Sequence, residues 1–127
     1  MARKKSATLT EGEQRLMEVI WKLGSGTVSE VLEQLPERHR PAFNTVQTML
    51  RIMEQKGYLR HAESGRAFVY HPKVARVDAA RAALKNVVNR FFHGSAELLT
   101  VRLLEDEQLS SKELARLRAL IDEAEQR

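Results

Sequence analysis

No cysteine occurs among the 127 residues, which excludes disulfide staples, thiolate zinc sites, thiol redox sensing and a cysteine nucleophile. No apolar run approaches the roughly eighteen residues that a membrane span needs. The basic start Met1-Ala-Arg-Lys-Lys-Ser lacks the apolar stretch that follows in a signal peptide. It reads as a frayed tail, and the cytoplasm is the expected location. A phosphate loop is missing too, because Gly24-Ser-Gly is not followed by Gly-Lys-Ser/Thr. His39, His61, His71 and His93 have no metal-ligand spacing, so neither a metal nor another cofactor is expected. Nothing signals a Ser/His/Asp set or paired carboxylates brought together for catalysis, and a non-enzymatic chain is expected.

What is present is globular: 43% of residues are hydrophobic and 30% charged. The net charge of +4 is unevenly spread. Residues 1–75 carry 12 Lys and Arg against 8 Asp and Glu, whereas residues 76–127 carry 9 against 9. All of the excess positive charge therefore lies in the first part, which favours a polyanionic partner there.

Thr10 with Glu13 and Thr27 with Glu30 are capping boxes that open helices over Glu11–Leu23 and Val28–Leu35. Leu16, Val19, Ile20 and Leu23 form the inner stripe of the first helix, and Val28, Val31, Leu32 and Leu35 that of the second. Pro36 stops the second helix. A third helix runs from Ala42 to Lys56, with Val46, Met49, Leu50 and Met53 turned to the core and Gly57 closing it. Tyr58–Ala62 and Ala67–His71 read as two strands around Glu63-Ser64-Gly65-Arg66. Helix, helix, helix, hairpin is the order of a winged helix-turn-helix, whose third helix enters a DNA groove.

After Pro72 the periodicity is helical throughout, and the boundary is placed between an N-terminal domain, residues 1–75, and a helical domain, residues 76–127. Val77, Ala80, Leu84, Val87, Val88 and Phe91 form one stripe along Arg76–Phe92. A leucine-rich helix over Ala96–Leu104 contributes Leu98 and Leu99, and Glu105-Asp106-Glu107 reads as an acidic loop. Ser110 with Glu113 opens a last helix bearing Leu117, Leu120 and Ile121. About 50 residues cannot bury so much apolar surface alone. Pairing with a second copy resolves this, the alternative being that these helices fold back on the first domain. The fold class is thus mainly α with a small β-hairpin wing: an N-terminal winged helix-turn-helix plus a C-terminal three-helix dimerisation region.

The third helix carries no carboxylate between Ala42 and Met53. Ordinary solvated helices mix charge signs, whereas a phosphate-facing one cannot. Asn44, Thr45, Gln47, Thr48 and Arg51 supply the side chains that read base edges: amides for adenine, guanidinium for guanine, and a methyl contact for thymine. Arg38 and Arg40, before this helix, and Arg60 and Arg66, in the hairpin, are the phosphate-clamp candidates. Trp21 lies off the main stripe of its helix, which places it against a neighbouring element.

Leu9-Thr-Glu-Gly-Glu-Gln-Arg-Leu-Met-Glu-Val-Ile-Trp resembles the first helix of the BlaI/MecI penicillinase-repressor family. Thr27-Val-Ser-Glu-Val-Leu, Asn44-Thr-Val-Gln-Thr-Met-Leu, Lys56-Gly-Tyr-Leu and Phe68-Val-Tyr resemble it in the same order and spacing. The likeness continues to about residue 121. It implies a homodimeric repressor on an inverted-repeat, double-stranded DNA operator, with the recognition positions at Asn44, Thr45, Gln47, Thr48 and Arg51 and the wing between Arg60 and Arg66. It also leaves the protease of a membrane sensor as a candidate regulatory partner. Two departures stand out. The Asn-Phe bond cut in the β-lactam branch matches Arg102-Leu103 here, and the Cys-rich metal hook of the copper-responsive branch is missing. Two other classes stay open: a ligand-sensing regulator of the MarR type, and a winged helix that serves as a protein–protein adaptor.

Overall fold

The computed structural model describes residues 8–127; the basic tail lies outside the described residues. The chain divides into two compact units, one ending at Asn86 and the other spanning Val87–Arg127.

In the first unit α1 spans Glu11–Leu23, α2 Val28–Gln34 and α3 Phe43–Gln55. Both expected capping boxes form: Thr10 and Thr27 each accept the backbone N–H three residues on, and Glu13 and Glu30 reach back to the cap N–H. Each box satisfies two amides that helix starts otherwise leave orphaned. Between α2 and α3, Glu37-Arg38-His39 form a turn of 3-10 helix. Arg40 closes it by donating to the carbonyls of Leu35 (2.8 Å) and Glu33 (3.3 Å), the exposed end of α2.

The core is assembled where the inner faces meet. Leu16, Met17 and Ile20 of α1, Val31 of α2, and Val46, Leu50 and Met53 of α3 are all essentially without solvent contact. The expected stripe of α1 is shifted by this geometry. Met17 is buried, Val19 is half-buried, and Leu23 at the helix end is exposed.

Among the described residues Glu13 is the only buried charged side chain, and it is matched. Its carboxylate takes the Thr10 N–H at 2.9 Å and the Lys56 ammonium at 2.7 Å. One residue therefore caps α1 and ties the end of α3 to the start of α1. An unpaired carboxylate here would carry a desolvation cost of several kcal/mol.

Gly57, at φ 94°, takes the left-handed conformation that ends α3. Strand β1 (Leu59–Ser64) then pairs antiparallel with β2 (Ala67–Pro72), from Leu59 opposite Pro72 to Ser64 opposite Ala67. Glu63 and Ser64, placed in the turn by sequence, belong to the ladder; only Gly65 and Arg66 make the turn. Pro72 is tolerated because it ends its strand. Tyr70 also exchanges two backbone hydrogen bonds with Gly26, at 3.0 and 2.8 Å, so the link before α2 joins the sheet as a one-residue third strand.

Helix α4 runs Arg76–Phe91. Its first turns belong to the N-terminal unit, so compactness divides the chain within this helix rather than at residue 75. The cause is local. Ala79 is buried in the core, and the Trp21 indole N–H donates to the Val74 carbonyl at 2.8 Å. The Arg76 guanidinium lies 5.1 Å above the Trp21 ring and 2.6 Å from Glu18. Its hydrogen bonds hold the Glu18 carboxyl below the usual carboxylate range.

In the second unit His93 and Gly94, just past the end of α4, both take positive φ. Helix α5 spans Ala96–Asp106, capped by Ser95, whose hydroxyl accepts the Leu98 N–H. Glu105 and Asp106 are its last turn rather than a loop, with Glu105 within 3.4 Å of Arg102. Helix α6, Ser111–Glu125, begins with the expected Ser110–Glu113 box. Neither α5 nor α6 contains a buried residue. Among the described residues no helix is long and apolar enough to cross a membrane.

Lys56→Ala should lower unfolding stability by about 3 kcal/mol, since it strands the buried Glu13 charge. Chemical denaturation measures this, and Lys22→Ala, on the exposed side of α1, should change it by under about 0.5 kcal/mol.

Candidate nucleic-acid interface

Burying Val46, Leu50 and Met53 fixes the rotation of α3 about its axis. At about 100° per residue, the remaining positions are then forced outward. Asn44, Thr45, Thr48 and Arg51 are exposed and Gln47 is half-buried. Phe43, Gln47 and Arg51 are four residues apart and follow one line along the helix, on the side turned to the hairpin.

That line forms one wall of a cleft of about 300 Å³. The start of α2, with Thr27, Val28 and Ser29, forms a second wall, and the hairpin forms the third with Arg66, Ala67, Phe68 and Tyr70. No carboxylate lines it. Among the described residues neither Arg51 nor Arg66 is held in an ion pair. The cleft is thus apolar at its base and cationic at its rim.

The hairpin is held to α3 by a link that sequence reasoning missed. Glu54 is the only acidic residue of α3, and both its oxygens lie 2.8–2.9 Å from Nδ1 of His61 on β1. The His61 ring stacks on Phe68 at 4.0 Å between centroids, and Tyr70 packs edge-on to Phe68 at 6.4 Å. The register explains this clustering: His61 faces Tyr70 across the ladder and Phe68 follows two residues away on the same side. A histidine placed two residues after a buried leucine in β1 was the available signal.

The candidate residues separate accordingly. Gln47, Arg51 and Arg66 meet in the cleft, while Asn44, Thr45 and Thr48 continue the exposed surface of α3 beside it. Arg60 pairs with His71 on the opposite face of the hairpin from His61 and Tyr70. Arg40 is engaged with the end of α2. Phe43 was absent from the sequence candidates; its spacing from Gln47 and Arg51 is what could have revealed it.

Tyr70, at the base of the cleft, has its hydroxyl pKa raised, first by burial and then by the Glu54 charge, with Arg51 opposing. Burial, and then Glu13, raise that of Tyr58.

Three helices with a hairpin wing packed against the third define a winged helix-turn-helix protein. Residues 9–123 match the model of the penicillinase repressor family. The penicillinase repressor of Bacillus licheniformis is 33% identical over 98% of this chain and 97% of its own length. The methicillin resistance regulatory protein MecI of Staphylococcus aureus strain N315 is 22% identical over 93% of this chain and 96% of its own length. The solution structure of the DNA binding domain of the repressor BlaI is 37% identical, with a TM-score of 0.52, and covers 60% of this chain and 93% of that one. The chain belongs to the penicillinase repressor family, a family of repressors and not of enzymes.

Tyr58 and Tyr70 are the only tyrosines, so the phenolate absorbance of the folded chain should titrate above the ordinary value of about 10. Raised folded values mean that their contribution to stability is complete below the unfolded pKa and is lost as pH climbs through the folded one. Arg51→Ala should move the Tyr70 transition further up; a folded-chain titration matching the unfolded chain would contradict this placement.

Proposed function

We propose that this chain is a sequence-specific, DNA-binding transcriptional repressor that acts as a homodimer on an inverted-repeat operator. The observation that carries the reading is the cleft, where Gln47, Arg51 and Arg66 converge with no carboxylate on any wall. In this reading α3 lies in the major groove. Gln47 and Asn44 face adenine edges, Arg51 a guanine, and Thr45 and Thr48 face thymine methyls or phosphates. Arg66 at the wing tip contacts a phosphate and sets the register without reading sequence. Arg60 and Arg40 are outer phosphate contacts, and Arg40 reaches the backbone only beside the end of α2 that it caps. The solved relative described as the DNA binding domain of a repressor supports this assignment.

Dimerisation is supported by what the helices leave uncovered. Val77, Leu84, Phe91, Leu120 and Ile121 are all more than half exposed, and Val87, Leu98 and Leu117 over a third. Ala80, Val88 and Leu99 complete these stripes. Apolar surface in such quantity normally marks an interface. A second copy with two-fold symmetry buries it and sets two recognition helices about one DNA turn, or a multiple, apart. The 76–127 region is then the dimerisation domain and 1–75 the DNA-binding domain, α4 serving both. The cytoplasm is where such an operator would be met.

A membrane-sensor protease is the regulatory partner this reading adds. Arg102-Leu103 lies inside α5 and departs from the Asn-Phe bond cut in the β-lactam branch, so no cut is placed there.

Arg51→Ala should cost about 1–3 kcal/mol in operator affinity and relax preference at one base pair. Arg66→Ala should instead reduce the salt slope of binding by about one unit. Equal losses on operator and random DNA for Arg51→Ala would contradict direct readout. Leu84→Ala should weaken the dimer by about 2–5 kcal/mol in sedimentation equilibrium, and an unmoved dissociation constant would remove α4 from the interface.

A further inference from the structure

We propose that Phe43 is a further specificity-determining residue, contacting the 5-methyl group of a thymine in each operator half-site, with Phe68 as the facing wall. The inference rests on the DNA-binding reading of the cleft and deepens it. Phe43 is the first residue of α3 and is 45% exposed; Phe68, on the wing, is 42% exposed. One exposed aromatic residue on a surface is ordinary. Two on opposite walls of the same small cleft, which Arg51 and Arg66 also line, are a composed apolar slot inside a cationic surface.

The occupant follows from complementarity. The two arginines and the lack of any lining carboxylate favour a polyanion. The thymine methyl is the apolar group that a base pair presents in the major groove. Recognition helices also contact base edges through their N-terminal residues, which is where Phe43 stands. Phe43, Gln47 and Arg51 then form a reading line of three chemistries: methyl, amide and guanidinium.

The test uses the full chain and the duplex it selects from a random pool. Each thymine of the half-site is replaced singly by deoxyuridine, which lacks only the methyl. One replacement should weaken wild-type binding about fourfold, the loss expected for one buried methyl-sized group. The same replacement should be without effect on Phe43→Ala and retain part of its effect on Phe43→Leu. Arg51→Ala should keep the full methyl penalty while binding less tightly. If no replacement affects the wild type, or if the penalty is undiminished in Phe43→Ala, the assignment of Phe43 is overturned while the repressor reading stands. A pool that yields no preferred sequence overturns both.

Discussion

Val46, Leu50 and Met53 occupy one side of α3 and are sealed from solvent by α1 and α2, and every functional feature depends on that one-sided burial. A helix anchored at three points cannot rotate without exposing them, at about 1.5–3 kcal/mol for each side chain. The carboxylate-free face is therefore held outward by the core. The ion pair between Glu13 and Lys56 fixes the far end of the same helix against the cap of α1. Rotation and lateral position of α3 are set by different interactions.

The electrostatic character of the cleft is also a product of packing. Glu54 is the one carboxylate on α3, and it faces His61 instead of the solvent in front of Arg51. That contact brings the wing to the helix, and the Phe68 stack on His61 places Arg66 across from Arg51. A single histidine thus joins two elements and holds the Glu54 carboxylate outside the lining of the cleft. The second unit follows the opposite logic. Helices α5 and α6 have well-formed caps but no buried residue, so local signals shape them and their apolar faces stay exposed in the single chain.

Much of this was legible in the sequence because its signals are local. Thr10–Glu13, Thr27–Glu30 and Ser110–Glu113 each specify a helix start within four residues, and Gly57 its end. The inner face of α3 followed from the spacing of Val46, Leu50 and Met53. What escaped depends on residues far apart in the chain. The Lys56–Glu13 pair spans 43 positions, and the Trp21–Val74 hydrogen bond spans 53. Nor did spacing within α3 reveal that Phe43 faces Phe68, because the hairpin register decides it. The acidic run Glu105-Asp106-Glu107 reads as a loop by charge alone, yet the leucine period carries α5 through Asp106.

Because the chain has no native cysteine, the surface of α3 can be probed one position at a time. The decisive measurement is the alkylation rate of Thr48→Cys in the full chain, with and without the selected duplex, compared with Glu123→Cys on α6. The account predicts strong protection at position 48 by the selected duplex, weaker protection by random DNA at equal salt, and none at position 123. Equal alkylation of position 48 in bound and free protein would contradict it.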